Sequence, residues 1–348
     1  MHSLSPAFLT NLTFSAEQAS IIRTLGEYRG KQQLYERQRP ELLEALLTVA
    51  KIESTDASNK LEGISAPESR LEALVRRHDL PRNRSEQEIA GYRDALELIH
   101  QSRMNMPLTV NVIRQLHQRI YSFLSEQGGN WKPADNEIVE RDPDGNIVRI
   151  RFTPVSAVAT PQAMESLVQE YEAARQDNRE PLLTVPLFVL DFLCIHPFRD
   201  GNGRLARLLT LLALYHAGYD VGRFISLERI IQESHKSYYE TLEASSQGWH
   251  EGKHNVMPWV EYFWGVLLRA YKEFEDRIGS LNQPGITKSQ RVREAVERKV
   301  RPFRIVDIER ECPDVSRETI RLVLRAMKRE GWVEATGRGR GVRWRKLK

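Results

Sequence analysis

The most informative twelve residues of the chain are His196-Pro197-Phe198-Arg199-Asp200-Gly201-Asn202-Gly203-Arg204-Leu205-Ala206-Arg207. It brings together an imidazole, a carboxylate, two glycines around an amide, and two arginines one helical turn apart. Apolar runs at residues 187–195 and 208–214 flank it, which predicts a charged, glycine-rich turn between two buried segments. Burying so much charge costs free energy unless a ligand or a metal uses it. The stretch therefore predicts a binding site.

The glycines and arginines of this stretch suit a phosphate chain. Gly201 and Gly203 can adopt positive φ angles and let the backbone approach a ligand closely. The N–H groups of such a turn bind anions, and the helix expected to start near Gly203 adds its positive end. Arg204 and Arg207 are three residues apart, so on a helix they share a face and can both donate paired hydrogen bonds to phosphate oxygens.

A carboxylate and an imidazole lie in the same turn. Asp200 alone would repel a phosphate, so its presence predicts a bridging hard cation, with Mg²⁺ as the first choice. His196 is the natural general base at neutral pH. The alternative interpretation is a purely structural glycine-rich turn whose arginines pair with local acids.

The stretch matches the pattern HxFx(D/E)GNGRxxR at every fixed position, and the chain therefore resembles the Fic family. Members of this family are mostly nucleotidyltransferases that move AMP from ATP to a protein hydroxyl. The resemblance implies a mainly α fold with a small β-hairpin, Mg²⁺ as cofactor and ATP as substrate. It also implies that His196 deprotonates a Ser, Thr or Tyr hydroxyl of the target, and that Asp200 holds Mg²⁺ against the α- and β-phosphates.

The resemblance also assigns the phosphate contacts. Gly201, Asn202 and Gly203 would cradle the diphosphate. Arg204 would contact the β-phosphate region and Arg207 would hold the γ-phosphate. The hydroxyl would then attack the α-phosphorus in line, with pyrophosphate leaving, so that catalysis would consist mostly of positioning and charge neutralisation.

A second motif, Ser58-Asn59-Lys60-Leu61-Glu62-Gly63, ends a segment predicted to be helical from about residue 41. Gly63 suits a helix stop. Taken alone, a serine four residues before a glutamate is typical of a solvated helix face. Beside the first motif, the segment resembles the inhibitory helix of Fic proteins, (S/T)xxxE(G/N). That resemblance implies that Glu62 pairs with Arg207 and blocks the γ-phosphate position, and in some family members the same glutamate supports removal of AMP.

A hairpin is predicted over about residues 136–154. Two short β-like runs flank Asp144-Gly145, a strong turn signal after proline, and apolar and charged residues alternate from 148 to 152. One interpretation is a surface hairpin with a packed face. The other, implied by the resemblance, is the Fic flap, which aligns the target peptide by strand addition.

Farther along the chain, an apolar stripe at helical spacing runs from Leu227 to Leu242 and contains Tyr238 and Tyr239. In the Fic family this region borders the nucleotide base, so either tyrosine could stack on adenine. Simple core packing is an equally good interpretation of such a stripe.

Residues 286–348 contain 19 Lys and Arg against 9 Asp and Glu, whereas the whole chain has 51 against 47, so a basic tail follows an acidic body. A linker or turn is predicted at 282–285. Three predicted helices and a hairpin resemble a winged helix-turn-helix domain. Its third helix and wing carry the cations Arg317, Arg321, Arg325, Lys328, Arg329, Arg338, Arg340, Arg343 and Arg345. DNA binding and a protein-contact or dimerisation role both stay open.

The length of 348 residues is enough for two or three domains. We expect an N-terminal helical region at 1–105, a catalytic core at 106–280 and a winged-helix domain at 286–348. The sequence shows no run of membrane-spanning length, no signal-peptide order at its start, and only two widely separated cysteines. These features predict a cytoplasmic protein without a membrane span or a disulfide framework.

Two function classes follow from the sequence. The first is an autoinhibited protein adenylyltransferase that acts on an unknown protein or on itself. The second is a DNA-binding regulator with the Fic core as a nucleotide sensor. The intact His196 favours the first, because a sensor needs no base. The motif residues contact phosphates and do not recognise the base, so another donor or a de-AMPylating activity stays open. The target, the DNA site and a homo-oligomeric state also stay open.

Overall fold

The computed structural model describes residues 3–38, 40–142, 144–281, 287–299, 301–337 and 342–347. Several sequence predictions lie outside these residues: the linker at 282–285, Pro143 of the hairpin turn, and the wing residues Arg338 and Arg340. Within the described residues the chain is mainly helical, as predicted, with two small antiparallel sheets.

The helices are α1 (Pro6–Thr10), α2 (Ala16–Gln38), α3 (Pro40–Lys60), α4 (Glu68–Arg76), α5 (Arg84–Ser102), α6 (Val110–Ile120), α7 (Thr160–Gln176), α8 (Pro181–Ile195), α9 (Asn202–His216), α10 (Leu227–Glu233), α11 (His235–Ser246), α12 (Met257–Leu281), α13 (Lys288–Glu297), α14 (Ile305–Glu311) and α15 (Arg317–Arg329). Short 3₁₀ helices span Arg103–Asn105 and Asp220–Arg223. Strands β1 (Ile138–Arg141) and β2 (Ile147–Phe152) form one sheet, and β3 (Val333–Thr336) and β4 (Arg343–Lys346) form the other.

Helices α8 and α9 pass through the main core and hold the first motif between them. Nearly every side chain of α8 is buried, which matches its apolar sequence. Pro186 lies inside this helix and has no N–H to donate to the Leu182 carbonyl four residues earlier. Trp264 of α12 supplies the missing donor, because its indole N–H lies 2.8 Å from that carbonyl. The helix therefore tolerates the proline, and this hydrogen bond joins α12 to α8.

The single apolar stripe expected from Leu227 to Leu242 is two helices. Helix α10 ends at Glu233 and α11 begins at His235. Ser234 leaves the helical conformation, with φ −117° and ψ 28°, and its hydroxyl donates to the Ile230 carbonyl at 2.9 Å, a contact that often bends helices.

The basic tail has a hydrophobic cluster of its own, built from α13, α14, α15 and the β3–β4 sheet. Trp344 of β4 belongs to this cluster, and its backbone pairs with that of Phe303 through hydrogen bonds of 2.8 and 2.7 Å. Three helices followed by a two-stranded sheet are the elements expected of a winged helix-turn-helix domain. The assignment to that class and the domain boundaries stay predictions.

Ion pairs join this tail to the N-terminal helices. Arg310 of α14 lies 2.6 Å from the Glu53 carboxylate of α3, which is buried. Arg317, the first residue of α15, lies 2.9 Å from Glu72 and 3.3 Å from Glu68, both on α4. The basic tail is therefore in contact with the same helix, α3, that carries the second motif.

Two expectations concern the chain as a whole. In the part of the chain that the structure describes, no helix is both long and apolar enough to cross a bilayer. Cys194 and Cys312 are buried free thiols in separate hydrophobic clusters.

Candidate active site

The first motif forms the turn between α8 and α9. His196 follows the last residue of α8 in the left-handed conformation, with φ 49° and ψ 61°, and its N–H donates to the Phe192 carbonyl at 2.9 Å. Gly201 precedes α9 with φ 80°, and a Cβ there would lie 3.1 Å from the Tyr121 ring. This position therefore needs glycine for its conformation and for its space.

Asn202 holds the turn together. Its buried amide accepts a hydrogen bond from the Phe198 N–H at 3.0 Å and donates one to the Phe198 carbonyl at 2.8 Å. The resemblance implied that Asn202 helps to cradle a diphosphate. Because both polar atoms of its side chain serve the loop, any such contribution comes from the backbone that the side chain fixes in place.

Asp200 lies at the outer edge of the turn, where its side chain is 66% exposed. Its carboxylate accepts hydrogen bonds from the Tyr121 hydroxyl at 2.9 Å and from the Gly201 N–H at 2.7 Å. Burial opposes ionisation, but these two donors and nearby Arg204 lower the pKa of Asp200 below its ordinary value. An accessible, ionised carboxylate fits Mg²⁺, which keeps several waters and uses one or two protein carboxylates.

His117 of α6 supports the same turn from behind. The Gly129 N–H can only donate, so Nδ1 of His117, 2.8 Å away, must accept. The proton is then on Nε2, which donates to the Asp200 carbonyl at 2.9 Å. Burial lowers the pKa of His117 to about 4, so the ring is neutral and keeps both hydrogen bonds at physiological pH.

Arg204 is buried and paired within the protein. Its Nη1 donates to Oε2 of Glu88 on α5 at 2.7 Å, and the two side chains are 1% and 9% exposed. Its Nη2 lies 3.7 Å from the Asp200 carboxylate. The β-phosphate contact that the resemblance implied would therefore have to share this guanidinium with a structural partner.

Replacing Glu88 with alanine is expected to lower the free energy of unfolding by about 3–5 kcal/mol, because it leaves the Arg204 charge buried without its partner. Chemical denaturation measures the change. Glu126→Ala is the matched control, since its ion pair with Arg84 joins side chains that are 47% and 61% exposed, and such exposed pairs contribute little to stability. Equal losses in the two variants would contradict a special role for the buried pair.

Arg207 is held by the end of α3 and the turn that follows it. Its Nε donates to the Ser58 hydroxyl at 2.8 Å, and its Nη2 donates to the Ser58 carbonyl at 2.8 Å and to Glu62 Oε1 at 2.7 Å. Gly63, with φ 75°, lies in the turn that carries Glu62. The structure thus brings the two sequence motifs into direct contact.

Gly203 gives the Glu62 carboxylate its room. A Cβ at Gly203 would lie 2.4 Å from Glu62 Oε1 and 3.3 Å from Arg207 Nη1. The carboxylate therefore sits against the first turn of α9, where the positive end of a helix favours an anion. Burial alone would lower the pKa of Arg207, but the Glu62 charge raises it above its ordinary value. Glu62 occupies the kind of anion site that the sequence predicts for a phosphate.

His196 presents one nitrogen to the site. Its Nδ1 is buried, which leaves Nε2 toward the cavity. Burial and then the positive charge of Lys132 lower the pKa of the ring to about 4, against smaller opposite effects of the Leu193 carbonyl, Glu62 and Asp200. At neutral pH the imidazole is uncharged and can accept a proton, and this capacity is lost as the pH falls through about 4.

A cavity of about 180 Å³ joins these groups. His196, Gly203, Arg207 and Glu62 line it together with Tyr238, Tyr239 and several apolar side chains. Tyr238 is 3% exposed and packs edge-on against Trp259, so it is a core residue with one edge at the cavity. Tyr239 is 37% exposed, and its hydroxyl donates to the Leu61 carbonyl at 3.4 Å. Of the two tyrosines, Tyr239 has the ring more open to stacking on a base.

The β1–β2 hairpin borders the same cavity through Phe152, which stacks on His250 with ring centroids 5.4 Å apart. Of the two interpretations of the hairpin, the one with a packed face is wrong for most of β2, because Val148 and Ile150 are 62% and 51% exposed. Arg149 donates to Glu140 across the hairpin at 2.7 Å. The hairpin is thus tied by its charged side chains and leaves apolar side chains open to solvent.

Sequence reasoning missed four residues that support the site: Glu88, His117, Tyr121 and Lys132. None of them carries a local signal, because their hydrogen-bond partners in the motif region lie 63 to 116 residues away along the chain. Only the folded chain brings them to the turn.

Comparison with known proteins agrees with this geometry. Residues 107–214, which include the turn and the β1–β2 hairpin, match the family model described as Fic/DOC family. The chain is 22% identical over 222 residues to protein adenylyltransferase fic-1 of Caenorhabditis elegans, covering 63% of this chain and 38% of that protein. It is 23% identical over 238 residues to protein adenylyltransferase Fic of Drosophila melanogaster, covering 60% and 43%. The alignments thus span about two fifths of these relatives.

Solved structures share the fold. A Fic family protein from Desulfovibrio desulfuricans G20 superposes with a TM-score of 0.63 at 21% identity, covering 97% of both chains. A Fic domain containing signaling protein from Bacteroides thetaiotaomicron VPI-5482 gives a TM-score of 0.61 at 24% identity, covering 73% of this chain and 95% of the other. The first of these likenesses extends over the basic tail as well as the core.

Proposed function

We propose that this chain, which belongs to the Fic/DOC family through residues 107–214, is an autoinhibited protein adenylyltransferase that moves AMP from ATP to a protein hydroxyl. One observation carries the proposal: an uncharged histidine, the start of a helix and a buried arginine converge on one cavity. The names of the two relatives, both protein adenylyltransferases, support the same reaction.

Each group that lines the cavity has a separate role in this reaction. Nε2 of His196 takes the proton of a Ser, Thr or Tyr hydroxyl as the oxygen attacks the α-phosphorus of ATP. A bond forms between that oxygen and the phosphorus, the bond from the α-phosphorus to its leaving oxygen breaks, and pyrophosphate departs. The first turn of α9 at Gly203, together with Arg204 and Arg207, neutralises the charge of the phosphates.

Asp200 is the residue that would hold Mg²⁺. Once bound, the ion would neutralise negative charge on the α- and β-phosphates. The hydrogen bonds from Tyr121 and Gly201 fix the carboxylate and keep it ionised, so that it is ready to bind a cation without rearrangement.

Glu62 keeps the proposed reaction switched off. A γ-phosphate and the Glu62 carboxylate would compete for the same Arg207 guanidinium and for the same space beside Gly203. ATP can therefore bind productively only after the turn at residues 61–63 moves away. This is autoinhibition by direct occupation of the phosphate position.

The β1–β2 hairpin is the proposed docking site for the target. Its exposed Val148 and Ile150 lie on the strand that ends at the cavity in Phe152. A target segment that adds as a strand would place its hydroxyl near His196, and backbone pairing would make the selection of sequence loose. A segment of this same chain, or of a second copy, would satisfy the same requirements.

The test is incubation of the Glu62→Gly variant with Mg²⁺, cell lysate, and ATP labelled at either the α- or the γ-phosphate. Adenylyl transfer would label protein from the α-position alone. Labelling from the γ-position alone would indicate phosphoryl transfer, and labelling only by another nucleotide would indicate a different donor. If label is lost from protein that was modified beforehand, the site removes AMP instead. No transfer from any nucleotide and no removal would overturn the proposal.

A second candidate function is DNA binding by residues 286–348, and one observation favours it. Arg321, Arg325, Lys328 and Arg329 are exposed along one face of α15, and no ion pair within the described ranges engages them. Four unpaired cations at helical spacing suit the phosphate backbone of duplex DNA, with α15 in the major groove. The reaction and DNA binding would then reside in one chain.

Replacing Arg321 and Arg325 together with alanine is expected to weaken binding to duplex DNA at least about tenfold and to reduce the slope of log affinity against log salt by about two. Fluorescence anisotropy across a salt series measures both. Arg23→Ala/Lys236→Ala removes two exposed cations elsewhere on the chain and is the control. Equal losses in both double variants would show that net charge alone is responsible, and no binding by the unaltered chain would remove this candidate.

A further inference from the structure

Lys132 grips the backbone on both sides of His196. Its main-chain N–H donates to the Pro197 carbonyl at 2.9 Å, and its Nζ donates to the Ile195 carbonyl at 3.1 Å. The Nζ also donates to Asn136 Oδ1 at 2.9 Å, just before β1. The residue is 3% exposed. A buried ammonium is costly to hold, and here its hydrogen-bond partners are neutral oxygens, one of which is the carbonyl next to the proposed base.

The backbone of His196 is strained, so the Lys132 contacts matter for the position of its ring. A non-glycine residue in the left-handed conformation persists only where its surroundings hold it. The two carbonyls bound by Lys132 belong to the residues immediately before and after His196, so the contacts act on the backbone angles that aim the ring. Trp131 also stabilises this segment, because it packs on Phe198 with ring centroids 5.0 Å apart.

We infer that Lys132 is a positioning residue for His196: its contacts hold the backbone on both sides of the ring, and its buried positive charge acts together with burial to disfavour the protonated imidazole. The inference rests on the proposed function. None of the three Lys132 hydrogen bonds reaches Arg207, so the effect falls on proton transfer and leaves ATP binding unchanged.

The charged groups that face His196 come from three segments. Lys132 disfavours the protonated ring, whereas Glu62 and Asp200 favour it, and Lys132 has the largest influence after burial. Burial lowers the pKa of Lys132 itself to about 8, so its charge is present at neutral pH and is lost above about pH 8. Removing this charge must raise the pKa of His196, because the protonated imidazole is no longer repelled.

The experiment compares Lys132→Gln with Lys132→Arg. Glutamine can still donate to the Ile195 carbonyl but has no charge, whereas arginine keeps the charge. The His196 ring is titrated by NMR in histidine-labelled protein, with its signals assigned by their absence from His196→Ala. We expect Lys132→Gln to raise the titration midpoint by about one pH unit and Lys132→Arg to leave it near that of the unaltered chain.

Activity gives the second readout. In the Glu62→Gly background, Lys132→Met, which loses both the charge and the hydrogen bond to the Ile195 carbonyl, should lower kcat at least about tenfold with an unchanged KM for ATP, and should move the acidic limb of the rate profile to higher pH. If the variant does not fold, the unaltered chain suffices, because its His196 signals should show a small second inflection near pH 8 that Lys132→Arg abolishes.

An unmoved midpoint in a folded Lys132→Gln, or the absence of the second inflection, would overturn the inference. The NMR titration needs no catalysis, so it separates this failure from a failure of the proposed function, which would appear as no transfer in any variant.

Discussion

Replacing Glu62 with glycine is expected to raise AMP transfer about 10- to 100-fold. The carboxylate holds Arg207 through a charge-assisted hydrogen bond, and such bonds contribute about 1.5–3 kcal/mol. Each 1.4 kcal/mol corresponds to about a tenfold change in an equilibrium. Ser58 would still bind the guanidinium through its hydroxyl and its carbonyl, so Arg207 stays in place for the γ-phosphate. The initial rate of label incorporation from α-labelled ATP measures the effect.

Two variants control this result. Glu62→Gln keeps a hydrogen-bond acceptor but loses the charge, so its rate should lie between those of the unaltered chain and Glu62→Gly. Glu62→Gly/His196→Ala should incorporate no label above background. If Glu62→Gly binds ATP no more tightly than the unaltered chain and transfers AMP no faster, Glu62 does not guard the phosphate position.

Replacing His196 with alanine in the Glu62→Gly background is expected to lower the rate of transfer by about 10²–10⁴-fold, the usual contribution of a positioned general base. ATP affinity should be unchanged, because the ring faces the cavity through Nε2 and the phosphate site is formed by Gly203 and Arg207. The parent's rate should also fall as the pH drops through about 4, where the imidazole becomes protonated. Rapid-quench kinetics and calorimetry measure the rate and the ATP affinity.

His235→Ala is the matched control, because His235 is an exposed histidine of α11 that does not line the cavity. It should transfer AMP at the parental rate. A His196→Ala variant that loses ATP binding together with transfer would argue that the ring supports the structure of the turn, and full retention of transfer would remove it as the base.

The local part of this site could be predicted from the sequence because its geometry is encoded within a few residues. The glycines around Asn202 and the three-residue spacing of Arg204 and Arg207 specify a turn followed by a helix. The contact between Glu62 and Arg207 spans 145 residues, and no periodicity predicts it. Only the resemblance to a family pattern suggested that pairing.

Other features depended on tertiary packing and could not be predicted. In the sequence Glu88 is an ordinary charged residue of the predicted N-terminal helical region, but in the structure it is the partner of a buried arginine. The apolar stripe through Tyr238 keeps its helical spacing across Ser234, where the backbone leaves the helical conformation. The alternation along β2 correctly indicated a strand, but a two-stranded hairpin has no layer to cover Val148 and Ile150, so both stay in water.

Helix α3 couples the cavity and the basic tail energetically. Through Ser58 it binds Arg207 of the cavity, and through Glu53 it is paired with Arg310 of the basic tail. A ligand of the tail that removes Arg310 from Glu53 changes the free energy of α3 in its present position. ATP that binds to Arg207 in place of the α3 contacts changes the same free energy. Thermodynamic reciprocity then requires that each ligand alter the affinity of the other by the same factor. Whatever the tail binds, its dissociation constant measured with and without nucleotide reports the coupling in a single number.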